Sequence, residues 1–283
     1  MRLVRFGPPG GEQPGILDSA GHIRDLSGVI PDICGEYLND AVLDRLRRLD
    51  LESLPKAPEN ARLGPCVGAS SKFVCVGLNY VDHAEEAGRP IPTEPVLFMK
   101  ATSAICGPQD DMLMPPDSKK SDWEVELGVV IGTTARRVPQ AAALEYVAGY
   151  CLIDDLSERS YQSERGGQWV KGKSLDTYGP IGPWLVTRDE LRNPHGLSIW
   201  QNVDETRYQD GSTSQMIFKV DQLVSYISQF MTLLPGDLIA TGTPAGVGLG
   251  QKPDPVYLRP GQTLHLGADG LGEQTHKVVV EKI

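Results

Sequence analysis

Asp122-Trp123-Glu124-Val125-Glu126-Leu127-Gly128-Val129-Val130-Ile131-Gly132 is the stretch from which the rest of the chain is best read. Its apolar run is short and rich in β-branched residues, which marks a strand. Side chains alternate between the faces of a strand. Glu124 and Glu126 therefore share one face, and Val125, Leu127, Val129 and Ile131 supply the other, buried face. The two carboxylates stand ~7 Å apart at their Cα atoms and repel each other. A solvated outer face would tolerate that repulsion. A hard divalent cation, which takes oxygen ligands, would remove it.

Similar short apolar runs lie on both sides: FVCVGL from Phe73, GYCLIDDLS from Gly149, GPWLVT from Gly182, GLSIWQNV from Gly196, DLIATGTP from Asp237 and KVVVEKI from Lys277. Turn residues separate them. Helical spacing of apolar residues marks 38–50, 136–148 and 216–232. Strands and helices do not alternate regularly, so a mixed, β-rich α+β architecture is expected rather than a doubly wound parallel sheet. Residues 1–65 carry short strands and Gly/Pro turns and read as a small N-terminal β-rich domain. The segment 54–68 reads as a linker, with the boundary near 60–70. No repeat is evident.

Composition narrows the function. With 40% apolar and 23% charged residues, the chain is of the globular kind. The net charge of −10 excludes a surface built to bind nucleic acid or anionic membrane. No apolar run reaches the ~18 residues of a membrane helix, and MRLVRFGPPGG lacks the apolar core of a secretory signal. A cytoplasmic location is expected. The five cysteines form no C-x-x-C pair and read as reduced, mostly buried thiols. An anionic substrate would need a local positive charge, from a metal ion or a placed Lys or Arg.

Three further clusters carry chemistry. Asp154 and Asp155 end the apolar segment GYCLI, where a turn or helix cap is the plain reading and a metal ligand the sharper one. Spacing alone does not bring Asp155 beside Glu124 and Glu126. If 81–87 is helical, His83 and Glu86 can touch at i and i+3. A carboxylate that fixes the imidazole tautomer makes a histidine an effective general base, although a surface His–Glu pair is commoner. Gly88 to Pro95 then reads as a lid. Lys171-Gly172-Lys173-Ser174 offers positive charge. With Gly167 it fits the phosphate-loop spacing formally, but no strand precedes it and no helix follows it. The Gly-rich 241–248 loop carries Thr241 and Thr243, whose hydroxyls and backbone amides suit a carboxylate.

Taken together and in order, VGLNYVDHAEEAG, EPVLFMKATSAICGP, DWEVELGVVIG, GYCLIDDLSERSYQ, GKSLDTYGPIGPWLVT and PGDLIATGTPAGVG resemble the fumarylacetoacetate hydrolase family. The motifs run from Val76 to Gly248, and the resemblance extends over a catalytic domain at 70–283. It implies a β-sandwich roll, assembled as a homodimer or homotetramer. It implies Glu124, Glu126 and Asp155 as ligands of Mg2+ or Mn2+, and His83 with Glu86 as the catalytic pair on a lid. Lys173 is implied as a further catalytic residue and oxyanion contact, and Gln162 and Thr243 as substrate contacts. Asp154 departs from the Asn of many relatives and adds negative charge beside a ligand.

The activity implied is metal-dependent hydrolysis of the C3–C4 bond of a 2,4-diketo acid. The N-terminal extension, IRDLSG and SERGGQWVKGKS are similar to the subgroup acting on 2,4-diketo-3-deoxy-L-rhamnonate or fuconate, with pyruvate and a hydroxy acid such as lactate as products. Other readings are oxaloacetate decarboxylase, another acylpyruvate hydrolase, an isomerase or hydratase, ureidoglycolate lyase, and a non-catalytic ligand-binding module.

Overall fold

The structure, a computed structural model, describes residues 1–282. Ile283, the end of the last expected strand, lies outside the described residues. The frame is a ten-stranded sheet. Its order is Ile23–Asp25, Gln13–Leu17, Arg2–Phe6, Gly179–Thr187, Val147–Asp154, Val125–Ile131, Leu238–Ala240, Phe73–Gly77 and Val96–Lys100, with Ile105–Cys106 beside Gly179–Thr187. A second sheet of five strands runs Thr206–Ser212, Ser198–Val203, Thr263–Ala268, Gly272–Val280 and Met112–Met114. Mixed sheets with few helices make this the expected β-rich α+β fold. The N-terminal strands join the frame directly, since Arg2 and Leu3 pair with Val186 and Leu185.

Val125–Ile131 runs through the middle of the large sheet and is buried along its whole length. Val125, Leu127, Val129 and Ile131 pack into a core with Val220, Leu223, Val224 and Ile227 of the helix Val220–Phe230. Val130 faces a second core with Cys151, Ile153, and Leu43 and Leu46 of the helix Asp40–Arg47. That second face is apolar only along part of the strand. Toward Glu124 it turns polar, and there the site lies. Gly128 marks the change, because a Cβ on it would come 2.5 Å from Ile153.

The helix expected at 136–148 is instead a short 3-10 segment, Gln140–Tyr146, which passes into a strand at Val147. Pro139 bounds the segment, and Val147 is drawn into pairing with Ile131, so sheet contacts override the helical spacing. The other two expected helices form, shortened at their ends. Among the described residues no helix is long and apolar enough to cross a membrane.

Candidate active site

Antiparallel pairing assembles the carboxylates. Val147–Asp154 runs beside Val125–Ile131, with Ile153 opposite Glu126 and Asp154 opposite Val125. The next residue, Asp155, donates its N–H to Glu124 O at 2.9 Å. Oxygens of Glu124, Glu126 and Asp155 thus come within 4.8 Å of one another. Glu124 is 7% exposed and Glu126 2%, so the alternative of a solvated outer face is wrong. A face that starts polar on the strand is covered by the helix Val81–Glu86, the 241–248 loop and the segment 159–173.

Three buried cations balance this charge. Lys173 Nζ lies 2.5 Å from Glu124 Oε2 and 2.7 Å from Asp155 Oδ2. Arg159 joins Glu124 Oε1 at 2.7 Å to Asp122 Oδ2 at 2.8 Å. Lys100 pairs with Asp155 and donates to Leu156 O at 2.9 Å. Burial would raise the Glu124 carboxyl, but Arg159 and Lys173 outweigh it and hold Glu124 well below the usual carboxylate range. Glu126 behaves oppositely. Burial, then Asp155 and Glu124, push it well above the ordinary value, although it accepts the Gly242 N–H at 2.7 Å. Its surroundings thus disfavour the charged form of Glu126. Three buried carboxylates that converge and repel one another fit a hard divalent ion such as Mg2+ or Mn2+, which would relieve that repulsion.

His83 and Glu86 lie on the short helix Val81–Glu86. His83 Nδ1 is 3.0 Å from Glu86 Oε2, and Glu86 Oε1 accepts the Gly246 N–H at 2.8 Å. An ionised Glu86 assigns the ring proton to Nδ1 and leaves the Nε2 lone pair free to accept one. The side chain of Asn79 anchors the root of this helix. It donates to Thr241 O at 2.7 Å and Phe218 O at 3.0 Å and accepts Phe218 N–H at 2.8 Å.

The carboxylate triad and His83 meet at one cavity of about 350 Å³, lined also by Lys173, Arg159, Gln162 and Thr243. Phe98, Trp169, Val247 and Leu249 supply its apolar wall. Trp169 meets Phe98 edge-on at 5.2 Å and lies so close to Gly77 that a Cβ there would come 2.8 Å from its ring. Gln162 gives its carbonyl to Arg159 at 3.1 Å, which leaves its amide N–H groups as the donors it can offer a ligand. Thr243 Oγ1 has given its proton to Val125 O at 2.8 Å.

Residues 72–279 match the family described as fumarylacetoacetate (FAA) hydrolase, C-terminal. The chain belongs to the fumarylacetoacetate hydrolase family. A Burkholderia ambifaria protein carrying the provisional name of a hydrolase is 60% identical over 274 residues, 97% of each chain. Two solved members of the family share the fold. One is a 2-hydroxyhepta-2,4-diene-1,7-dioate isomerase from Mycobacterium marinum (33% identity, TM-score 0.78, all of both chains). The other is a maleylpyruvate hydrolase from Sphingobium sp. SYK-6, in complex with manganese(II) and pyruvate (27% identity, TM-score 0.82, all of both chains). The family thus includes hydrolases and isomerases.

Set against this fumarylacetoacetate hydrolase frame, sequence reasoning missed Lys100, Arg159, Asp122 and Gln209. None stands in a local pattern that signals its role. Lys100 closes an apolar strand, and Arg159 opens the short helix Arg159–Ser163. Lys173, within the segment that formally fits a phosphate loop, spends its ammonium on Glu124 and Asp155. Asp154, the departure from the family pattern, accepts Glu124 N–H at 2.9 Å and Gln201 Nε2 at 2.6 Å. Burial raises its carboxyl to about 7.

Proposed function

We propose that this chain hydrolyses the C3–C4 bond of a 2,4-diketo acid, and that its substrate is 2,4-diketo-3-deoxy-L-rhamnonate or the fuconate counterpart. One observation carries the reading: a buried carboxylate triad and His83, whose Nδ1 is held from behind by Glu86, open onto the same cavity. Glu124, Glu126 and Asp155 would hold Mg2+ or Mn2+, which when bound supplies positive charge for the carboxylate and 2-keto oxygens of the substrate and for the enolate.

The rest falls to side chains. Lys173 holds Glu124 and Asp155 in place, and Arg159 joins it in keeping Glu124 ionised. His83, its Nδ1–H turned to Glu86, takes a proton from water at Nε2. The hydroxide adds to C4. The tetrahedral centre collapses to a carboxylic acid as the C3–C4 bond breaks, and the electron pair passes into the enolate of pyruvate. A proton then reaches C3. From a 6-deoxy sugar acid the products are pyruvate and lactate. Gln162 offers its amide to the substrate, and the apolar wall at Phe98 and Trp169 receives the deoxy end. The protein is proposed to act as a cytoplasmic homodimer or homotetramer.

The isomerase relative favours a second reading, in which the same His83 moves a proton between carbons without cleavage. An endpoint assay separates the two. The synthetic diketo acid is supplied with Mg2+ or with chelator, and pyruvate and lactate are measured together. Equal, metal-dependent release of both is expected. Isomerised substrate without pyruvate would overturn the hydrolase reading. An inert substrate would overturn the sugar-acid assignment and turn the search to oxaloacetate and other acylpyruvates.

A further inference from the structure

We infer that Gln209 is a positioning residue that fixes the Glu124–Glu126 segment and the 241–248 loop against each other. Val125 lies between the two glutamates. The neighbouring strand Leu238–Ala240 makes its last pairing at Ala240 with Gly128, so the ladder stops before Val125. Backbone groups buried beyond that point need other partners. Gln209 Oε1 accepts the Val125 N–H at 3.0 Å, and Thr243 Oγ1 donates to Val125 O at 2.8 Å. Gln209 Nε2 donates to Thr243 Oγ1 at 2.7 Å and to Pro244 O at 2.9 Å. One fully buried amide thus bonds both walls of the site, with its acceptor and both of its donors engaged.

The loop is seated on the same strand, Thr206–Ser212. A Cβ on Gly246 would come 2.0 Å from Tyr208 O, and one on Gly211 would come 2.5 Å from Pro244. Gly246 in turn gives its N–H to Glu86, so the placement is passed on to His83. No other side chain of this length combines an acceptor with two donors in one plane. Glutamate lacks the donors, and methionine lacks both.

The inference rests on the hydrolase reading only for its activity assay. The test compares Gln209→Met with Gln274→Met. Gln274 is equally buried and donates from the same small sheet to Leu152 O at 2.8 Å and Gly182 O at 3.0 Å, without touching the loop. Thermal unfolding, the Mn2+ dissociation constant by electron paramagnetic resonance, and kcat and KM for pyruvate release are read on each full-length protein. Both variants are expected to lose thermal stability. Gln209→Met alone is expected to weaken Mn2+ binding and lower kcat, each by about tenfold to a hundredfold. Mn2+ affinity and kcat within about twofold of the parent in Gln209→Met would overturn the inference, as would equal losses in both variants. If Gln209→Met does not fold, Gln209→Glu replaces it. That variant keeps the acceptor for Val125 and lacks the donors for the loop, so kcat falls while Mn2+ affinity holds; an unchanged kcat overturns the inference. A parent that releases no pyruvate defeats the functional reading, and the Mn2+ comparison still decides the role of Gln209.

Discussion

At the scale of single residues, the proposed reaction divides the work between Glu126, on the ion, and His83, on the proton. Glu126→Gln removes a proposed ligand whose charge is already disfavoured by burial, then by Asp155 and Glu124. The folded protein should therefore keep or slightly gain thermal stability in chelator, while activation by Mg2+ is lost. Full activity at limiting metal would remove Glu126 from the ligand set. His83→Ala should lower kcat by about 10²–10⁴ and leave the Mn2+ dissociation constant unchanged, as read by titration of the metal-free protein. The spacing of Glu124 and Glu126 was legible because a strand repeats every second residue. Asp155 was legible only through the family resemblance, not from spacing, because the pairing of two strands about thirty residues apart in sequence brings it there. Lys100 and Arg159 were hidden for the same reason. Their partners are chosen by the fold and not by neighbours in sequence.

At the scale of elements, the period of the apolar residues located the central strands and the helix Val220–Phe230 well. It failed at 140–146, where a helical pattern on a short connection yielded to the strand that follows it. The 241–248 loop was legible as Gly-rich but not as a platform. Gly246, at φ +108°, has no room for a side chain, whereas Gly261, at φ +93°, faces open space. Gly246→Ala should therefore cost about 2–4 kcal/mol in urea unfolding and reduce kcat through Glu86. Gly261→Ala should cost about 1 kcal/mol, from backbone strain alone, and leave kcat intact. Equal costs for the two would show that the loop yields freely.

At the scale of the whole molecule, the site makes stability depend on pH and metal together. Burial raises Asp154 from an ordinary carboxylate value to about 7, and Glu126 is raised as well. The native chain thus holds protons that the unfolded chain has already released. Stability is fully present below the ordinary carboxylate range and falls as pH rises toward about 7, by ~4 kcal/mol for Asp154 alone. His276, whose imidazole burial pulls down to about 4, adds stability as pH rises through 6.5; Asp154 and Glu126 together should outweigh it, so that in chelator the protein melts lower at pH 8 than at pH 5.5. Mg2+ should offset more of that loss at the higher pH, because its binding favours the charged form of Glu126. Differential scanning calorimetry at both pH values, with and without Mg2+, checks this; a Mg2+ effect larger at pH 5.5 would contradict it. The net charge of −10 indicated that an anionic substrate would need local positive charge. It did not indicate that Lys100, Lys173 and Arg159 would be gathered in one interior.

The contact between Glu86 and the Gly246 amide works as an interlock. One carboxylate orients the base with one oxygen and reads the loop with the other. Lifting the helix Val81–Glu86 from the loop strips Glu86 of that second partner and loosens the hold on His83 in the same movement. In the proposed hydrolysis, His83 would then be held as a base only while the helix rests on the loop.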